Sequence, residues 1–128
     1  MFLGKSPTTI DAKGRFQFPA KYRNDLDMIC AKQVMVVSDS KGCLEIYPRP
    51  VWDKRAALID ELPESAAREK TAFYSNSEPA EIDAGGRLAL TPTHREEADL
   101  PAGNALLKAA GTHFELWSLA REAAYTQS

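Results

Sequence analysis

The sequence predicts an α+β fold, mainly β, in which two internal copies of one β-rich unit pack about a pseudo-twofold axis. Three observations lead there. "DAKGRF" (Asp11–Phe16) returns 72 residues later as "DAGGRL" (Asp83–Leu88). "LEIY" (Leu44–Tyr47) returns as "FELW" (Phe114–Trp117) at a spacing of 70. The stretch between the copies has helical rather than alternating periodicity. Internal self-similarity of this kind sets the architecture, and two copies are too few for a solenoid.

Each unit reads as strand, turn, strand, short helix, strand, turn, strand. In the first, "TTI" and "RFQF" flank the turn "DAKG", and the glycine suits a positive φ. Pro19 then opens a short helix, "AKYRNDL", because proline is favoured at a helix start. "QVMVVS" and "CLEIY" form a second hairpin around "DSKG". In the second unit, "EPAEI" and "RLAL" flank "DAGG". Pro92 opens "THREEA", with Thr91 as a one-residue insertion, and "NALLKA" and "HFELW" flank "AGT". Pro79 suits an edge strand, since it cannot donate to a ladder. Arg23 aligns with Arg95, Asp27 with Asp99 and Met28 with Leu100.

The connector reads as an αα-hairpin. Val51, Leu58 and Leu62 share one helical face, with Trp52, Ala56 and Ile59 beside them. Pro63 breaks the run and opens a second helix, "PESAAREKTAFY". Trp52, Phe73 and Tyr74 are assigned to a core or a subunit contact. A short last helix covers Leu119 to Tyr125. The expected division is a first repeat at 1–48, a helical connector at 49–76, a second repeat at 77–120 and a terminal segment at 121–128, all in one compact unit.

Composition narrows the function. The 128 residues are 44% hydrophobic and 27% charged, with a formal net charge of −2. A chain of that length buries a core without staples. No apolar run approaches the ~20 residues of a membrane span, and the start lacks a signal-peptide core. Cys30 and Cys43 lie 13 apart with no CxxC pair, which reads as reduced thiols in a cytoplasmic protein. No cofactor, metal or small-molecule ligand is expected.

Charge is divided unequally between the copies. Residues 1–23 hold five basic side chains against Asp11, a net of +4, whereas residues 78–99 carry a net of −4. A local positive end attracts phosphate whatever the total charge. The opposite ends could also attract each other head to tail in an oligomer. In the first turn Gly14 lets backbone approach a phosphate, Lys13 neutralises one, and Arg15 presents a fork to phosphate or to a guanine edge. A two-stranded β element fits the major groove. Asp11 caps the turn or orients an arginine, and Asp83 repeats it. Gly86 and Arg87 are the second-copy counterparts. Gly85 replaces Lys13 there, so Arg15 is expected to outrank Arg87. Lys5 and Lys21 are candidate secondary phosphate contacts.

"DAKGRFQFPAKYR", "LEIYPRPVW", "DAGGRLALTPTHR" and "FELW" together resemble the MraZ family, bacterial regulators with two tandem SpoVT-AbrB domains. The resemblance covers nearly the whole chain. It implies a swapped-hairpin AbrB-like β-barrel built by both repeats, with helices outside. It also implies a ring-like homo-oligomer, an octamer or larger. Double-stranded DNA is the implied partner, through G-rich promoter repeats of the division and cell-wall gene cluster, usually for repression. The implied location is cytoplasmic and nucleoid-associated. The family's Asp–x–x–x–Arg loop falls on Asp11 and Arg15, and on Asp83 and Arg87. An oligomeric assembly module without sequence-specific DNA binding is the alternative. Catalysis has little to rest on: His94 and His113 lack a nucleophile at motif spacing. Asp60 and Glu61 diverge as helical neighbours.

Overall fold

The computed structural model describes residues 1–127. Eight strands form one antiparallel sheet that curls into a nearly closed barrel: β1 (Lys5–Ile10), β2 (Arg15–Gln17), β3 (Gln33–Ser38), β4 (Leu44–Pro48), β5 (Ser77–Glu81), β6 (Arg87–Ala89), β7 (Gly103–Ala109) and β8 (Phe114–Ser118). Their order is β5-β3-β4-β8-β7-β1-β2-β6. The hairpins are swapped. The strands of the first repeat pair with those of the second at β1–β7, β2–β6, β3–β5 and β4–β8. The seam lies between β5 and β6, where Asp83 N–H donates to Arg87 O at 2.9 Å.

Register exposes the pseudo-twofold axis. At the centre of β2–β6, Phe16 faces Leu88, its own repeat equivalent. At the centre of β4–β8, Glu45 faces Glu115, again its own equivalent. A residue can sit opposite its counterpart only where a twofold axis passes between them. The axis therefore crosses the barrel from one wall to the other.

Alternation along the strands fills the interior. Phe16, Phe18, Leu44, Ile46, Leu88, Leu107, Phe114 and Leu116 are all fully or almost fully buried. Phe18 meets Phe114 edge-on at 5.3 Å, and Phe16 lies 4.6 Å from Phe18. Aromatic pairs in such geometry contribute beyond their buried area.

Helices wrap the outside. α1 (Ala20–Cys30) turns Tyr22, Leu26 and Cys30 inward. It runs past the expected "AKYRNDL" and stops where Ala31 takes a left-handed conformation, φ 50°. α2 (Arg49–Asp60) buries Trp52 and Ala56. With Met35, Val37 and Tyr47 they form a small second core on the outer face of β3–β4. The expected Leu58–Leu62 face is corrected: both leucines are exposed, and the covered side of α2 is the one that carries Trp52 and Ala56, with Ile59 half-buried. Pro63 is corrected as well. It precedes a 3-10 turn (Glu64–Ala66), and α3 (Ala67–Ser75) begins only at Ala67. Trp52 stacks on Phe73 at 5.5 Å, and its Nε1 donates to Ser77 Oγ at 3.2 Å. α4 (Pro92–Glu97) uses the inserted Thr91 as its cap, whose Oγ1 accepts from His94 N–H at 3.1 Å. α5 (Leu119–Gln127) lays Tyr125 4.9 Å from the buried Trp117. Pro79 lies on β5, the strand at one end of the sheet order. No described helix is long and apolar enough to cross a membrane. Cys30 and Cys43 are buried free thiols, and burial pushes Cys43 up to about 12.

The Glu45–Glu115 pair puts two like charges face to face. Lys41 Nζ answers them, 2.9 Å from Glu115 and 3.7 Å from Glu45. Tyr47 and Trp117 donate to their outer oxygens at 3.0 and 2.9 Å. His113 Nε2 lies 3.4 Å from Glu45 and stacks on Tyr47. Burial opposes the charge on Glu45, but His113, Tyr47 and Lys41 outweigh it and hold the carboxyl below its ordinary 4.5.

Two tests follow from this packing. Phe16→Ala removes the buried centre of the axis and should cost about 3–5 kcal/mol in chemical denaturation. A loss under about 1 kcal/mol would show that β2–β6 does not organise the barrel. Glu45→Gln should destabilise the protein at neutral pH. The depressed pKa means that the charged form stabilises the fold above 4.5. That contribution disappears as the pH falls below this value, so the gap between variant and wild type should close. A gap constant from pH 7 to pH 3 contradicts the stated role.

Candidate nucleic-acid interface

The two turns have one construction. In the first, Gly14 N–H donates to Asp11 O at 3.0 Å, and Asp11 N–H donates to Arg15 O at 2.9 Å. Asp11 Oδ1 accepts from the N–H groups of Lys13 and Arg15, both at 2.9 Å. Its Oδ2 takes Arg15 Nε at 2.8 Å. In the second, Asp83 Oδ1 accepts from Gly85 and Arg87 N–H at 2.9 Å, and its Oδ2 takes Arg87 Nε at 3.2 Å. Gly14 and Gly86 have φ of +82° and +79°, a region that side chains avoid.

This geometry divides the work within each turn. The Arg15 N–H does most to hold the Asp11 carboxyl below its ordinary value, against a desolvation effect, and the guanidinium adds to it. Asp83 is lowered in the same way, with the Arg87 N–H foremost. Each carboxylate is committed to closing its turn and fixing an Nε. Among the described residues no protein acceptor takes the Nη groups of Arg15 or Arg87. A planar fork held at its base, with free outer nitrogens, suits bidentate recognition of phosphate or guanine.

The turns also hold each other. Phe18 N–H donates to Gly86 O at 2.9 Å, and Leu90 N–H donates to Gly14 O at 3.0 Å. These two bonds are repeat equivalents. Gln17 Nε2 adds a bond to Gly85 O at 2.8 Å, which Ala89 cannot return. Arg95 lies against Gly14, where an added Cβ would come within 2.9 Å of its Nη1. Arg23 lies against Gly86 in the same way. Arg23 Nε is anchored on Phe18 O at 3.0 Å, and Arg95 Nε on Leu100 O at 3.1 Å. Sequence reasoning gave Gln17, Arg23 and Arg95 no part in the turns. The alignment of Arg23 with Arg95 was the available signal.

The structure thus brings together Asp11, Lys13, Gly14, Arg15, Asp83, Gly86 and Arg87. Lys5 and Lys21 stand elsewhere. Lys5 begins β1, six residues before Asp11 and so about 20 Å along the strand. Lys21 lies on α1 with its Nζ 5.0 Å from the Tyr22 ring and beside Gly4. The histidines have structural settings. His94 Nε2 is 3.0 Å from Asn76 O, and His113 packs on Tyr47 beside Glu45. Asp60 accepts from Tyr74 Oη at 2.7 Å.

Known proteins place the chain. The family model for the MraZ protein matches residues 1–74. A protein of Acidovorax sp. (strain JS42) named transcriptional regulator MraZ is 39% identical over 132 residues, covering 100% of this chain and 92% of its own length. Its namesake in Verminephrobacter eiseniae (strain EF01-2) is 40% identical, covering 94% of this chain and 84% of its own. The one in Herminiimonas arsenicoxydans is 36% identical with the same coverage, 94% and 84%. These relatives are named as regulators and not as enzymes. With that likeness running through both arginine turns, the chain belongs to the MraZ family of transcriptional regulators.

Proposed function

We propose that this regulator acts by binding double-stranded DNA. Its targets are G-rich repeats in the promoter of the division and cell-wall gene cluster, which it represses from the cytoplasm, on the nucleoid. The observation that carries this reading is the pair of aspartate-locked arginine forks on one face of the barrel. Arg15 and Arg87 supply base contacts. Lys13 supplies a phosphate contact at the first turn, and the glycines let the backbone close on the duplex. Lys5 and Lys21, which stand off the turns, are assigned to flanking phosphates.

The working form is a ring-like homo-oligomer, an octamer or larger. Its support is an apolar surface near the N-terminus. Met1, Leu3 and Met28 are 92%, 72% and 78% exposed. Met1, Ile29 and Val51 line a shallow groove of about 230 Å³. An apolar groove beside the exposed Met1 favours association. Linked copies of the two turns gain effective concentration on repeated boxes. The same surface is what an assembly module without DNA specificity would need, so the test has to measure sequence preference.

The duplex from upstream of the protein's own gene should bind in anisotropy titrations more tightly than a scrambled duplex. Affinity should fall steeply with salt as counterions are released. Arg15→Ala should lose about 5- to 150-fold of that preference, the worth of one bidentate pair. Its oligomer mass by light scattering should be unchanged. An Arg15→Ala protein that still selects its boxes defeats the assignment.

A further inference from the structure

On the wall opposite the arginine turns, three metal-ligating side chains converge. Glu45 on β4 and Glu115 on β8 face each other across the pseudo-twofold axis. His113 directly precedes β8 and brings its Nε2 to 3.4 Å from Glu45 Oε2. One donor atom from each of Glu45, His113 and Glu115 lies within 4.8 Å of the other two. The side chains of Glu45, His113 and Glu115 are 9%, 19% and 17% exposed, so the group is sheltered rather than a solvated acidic surface.

The second polar atom of each of the three is already held. Tyr47 Oη donates to Glu45 Oε1 at 3.0 Å, and Trp117 Nε1 donates to Glu115 Oε1 at 2.9 Å. Thr112 Oγ1 lies 3.2 Å from His113 Nδ1. That arrangement leaves the Oε2 atoms and Nε2 for a shared cation, and outer partners of this kind orient the ligands of metal sites. Donors bound to zinc at about 2.0–2.2 Å in a tetrahedron stand roughly 3.3–3.6 Å apart. The separation of Glu45 from His113 falls in that range, and Glu115 reaches it with a small side-chain shift.

The local charge also favours a cation. Lys41 Nζ is 2.9 Å from Glu115, 3.7 Å from Glu45 and 3.7 Å from Asp39, so three carboxylates share its one positive charge. Lys41 belongs to the turn between β3 and β4, and its flexible stem lets the ammonium swing aside. Cysteine spacing could not reveal this set, because the donors are oxygen and imidazole from residues some 70 positions apart.

We propose that Glu45, His113 and Glu115 form a site for a divalent transition-metal ion of the zinc class. The metal takes the place of the Lys41 ammonium and ties β4 of the first repeat to β8 of the second. Two carboxylates and one imidazole suit zinc, with a fourth position left to water.

The test is titration of the chelator-treated full chain with zinc chloride, read by calorimetry and thermal unfolding, for wild type, His113→Phe and Lys41→Ala. Zinc should bind wild type at one ion per chain and raise its Tm. His113→Phe keeps a ring against Tyr47 and removes a ligand. It should lose more than the ~10- to 100-fold in affinity that follows from removing an orienting partner alone. Lys41→Ala removes the competing ammonium and should bind at least about 5-fold more tightly, the worth of one exposed ion pair. Misfolding cannot produce that gain. The proposal falls if wild type takes no zinc, if His113→Phe binds as wild type does, or if Lys41→Ala gains nothing. The cluster is then an ion-paired network only, and the DNA-binding reading stands unaffected.

Discussion

The fold depends on the pairing of β2 with β6. Neither repeat closes a sheet by itself, because its two hairpins find their partners in the other copy. At the centre of the exchange lies the buried Phe16–Leu88 pair, flanked by two crossed bonds from strand ends to turn glycines. A backbone group buried without a partner costs as much as a lost hydrogen bond. Three-residue strands cannot satisfy their own edges, and the exchange satisfies them. It also places both arginine turns side by side, so the same contacts complete the barrel and build the candidate interface.

The two ends of the pseudo-axis carry opposite chemistry. At one wall, arginines gather around an apolar pair. At the opposite wall, Glu45 and Glu115 face each other. Like charges directly opposed on a sheet repel, and here Lys41 and two aromatic donors offset the repulsion. Aspartates occur at the basic wall as well, and each offsets the charge of its own arginine, so the surplus among these residues rests on Lys13, Arg23 and Arg95. Each carboxylate is taken up by backbone N–H groups and one Nε. Net charge is therefore a poor guide to this protein, whose total is only −2. What matters is which nitrogens remain without a partner.

Much of the fold was legible because its signals are local. The repeated turn, the alternating strands and the prolines that open α1 and α4 are written in adjacent residues. The failures were also physical. The apolar face of α2 was misplaced because helical periodicity marks apolar residues on two adjoining sides but not which of them meets the sheet. The sheet covers the Trp52–Ala56 side and leaves Leu58 and Leu62 exposed. Pro63 suits the first position of a helix, yet a 3-10 turn comes first. In the interface, Asp11, Gly14 and Arg15 could be found from spacing alone. Gln17 could not, and Arg23 and Arg95 left only their mutual alignment as a signal, because each touches a turn belonging to the other repeat.

The sequence by itself determined the two copies, the aspartate-locked turns and the charge difference between them. The turns depend on side chains within four residues of one another, and the copies and their charges are read by direct comparison of two stretches of the chain. The likeness to the family implied exchanged hairpins, and the tertiary structure supplied their register. That structure alone put Arg15 and Arg87 on one face as diagonal neighbours, and Glu45 opposite Glu115. Those relations join residues some 70 positions apart, and strand register, which no local pattern encodes, brings them together.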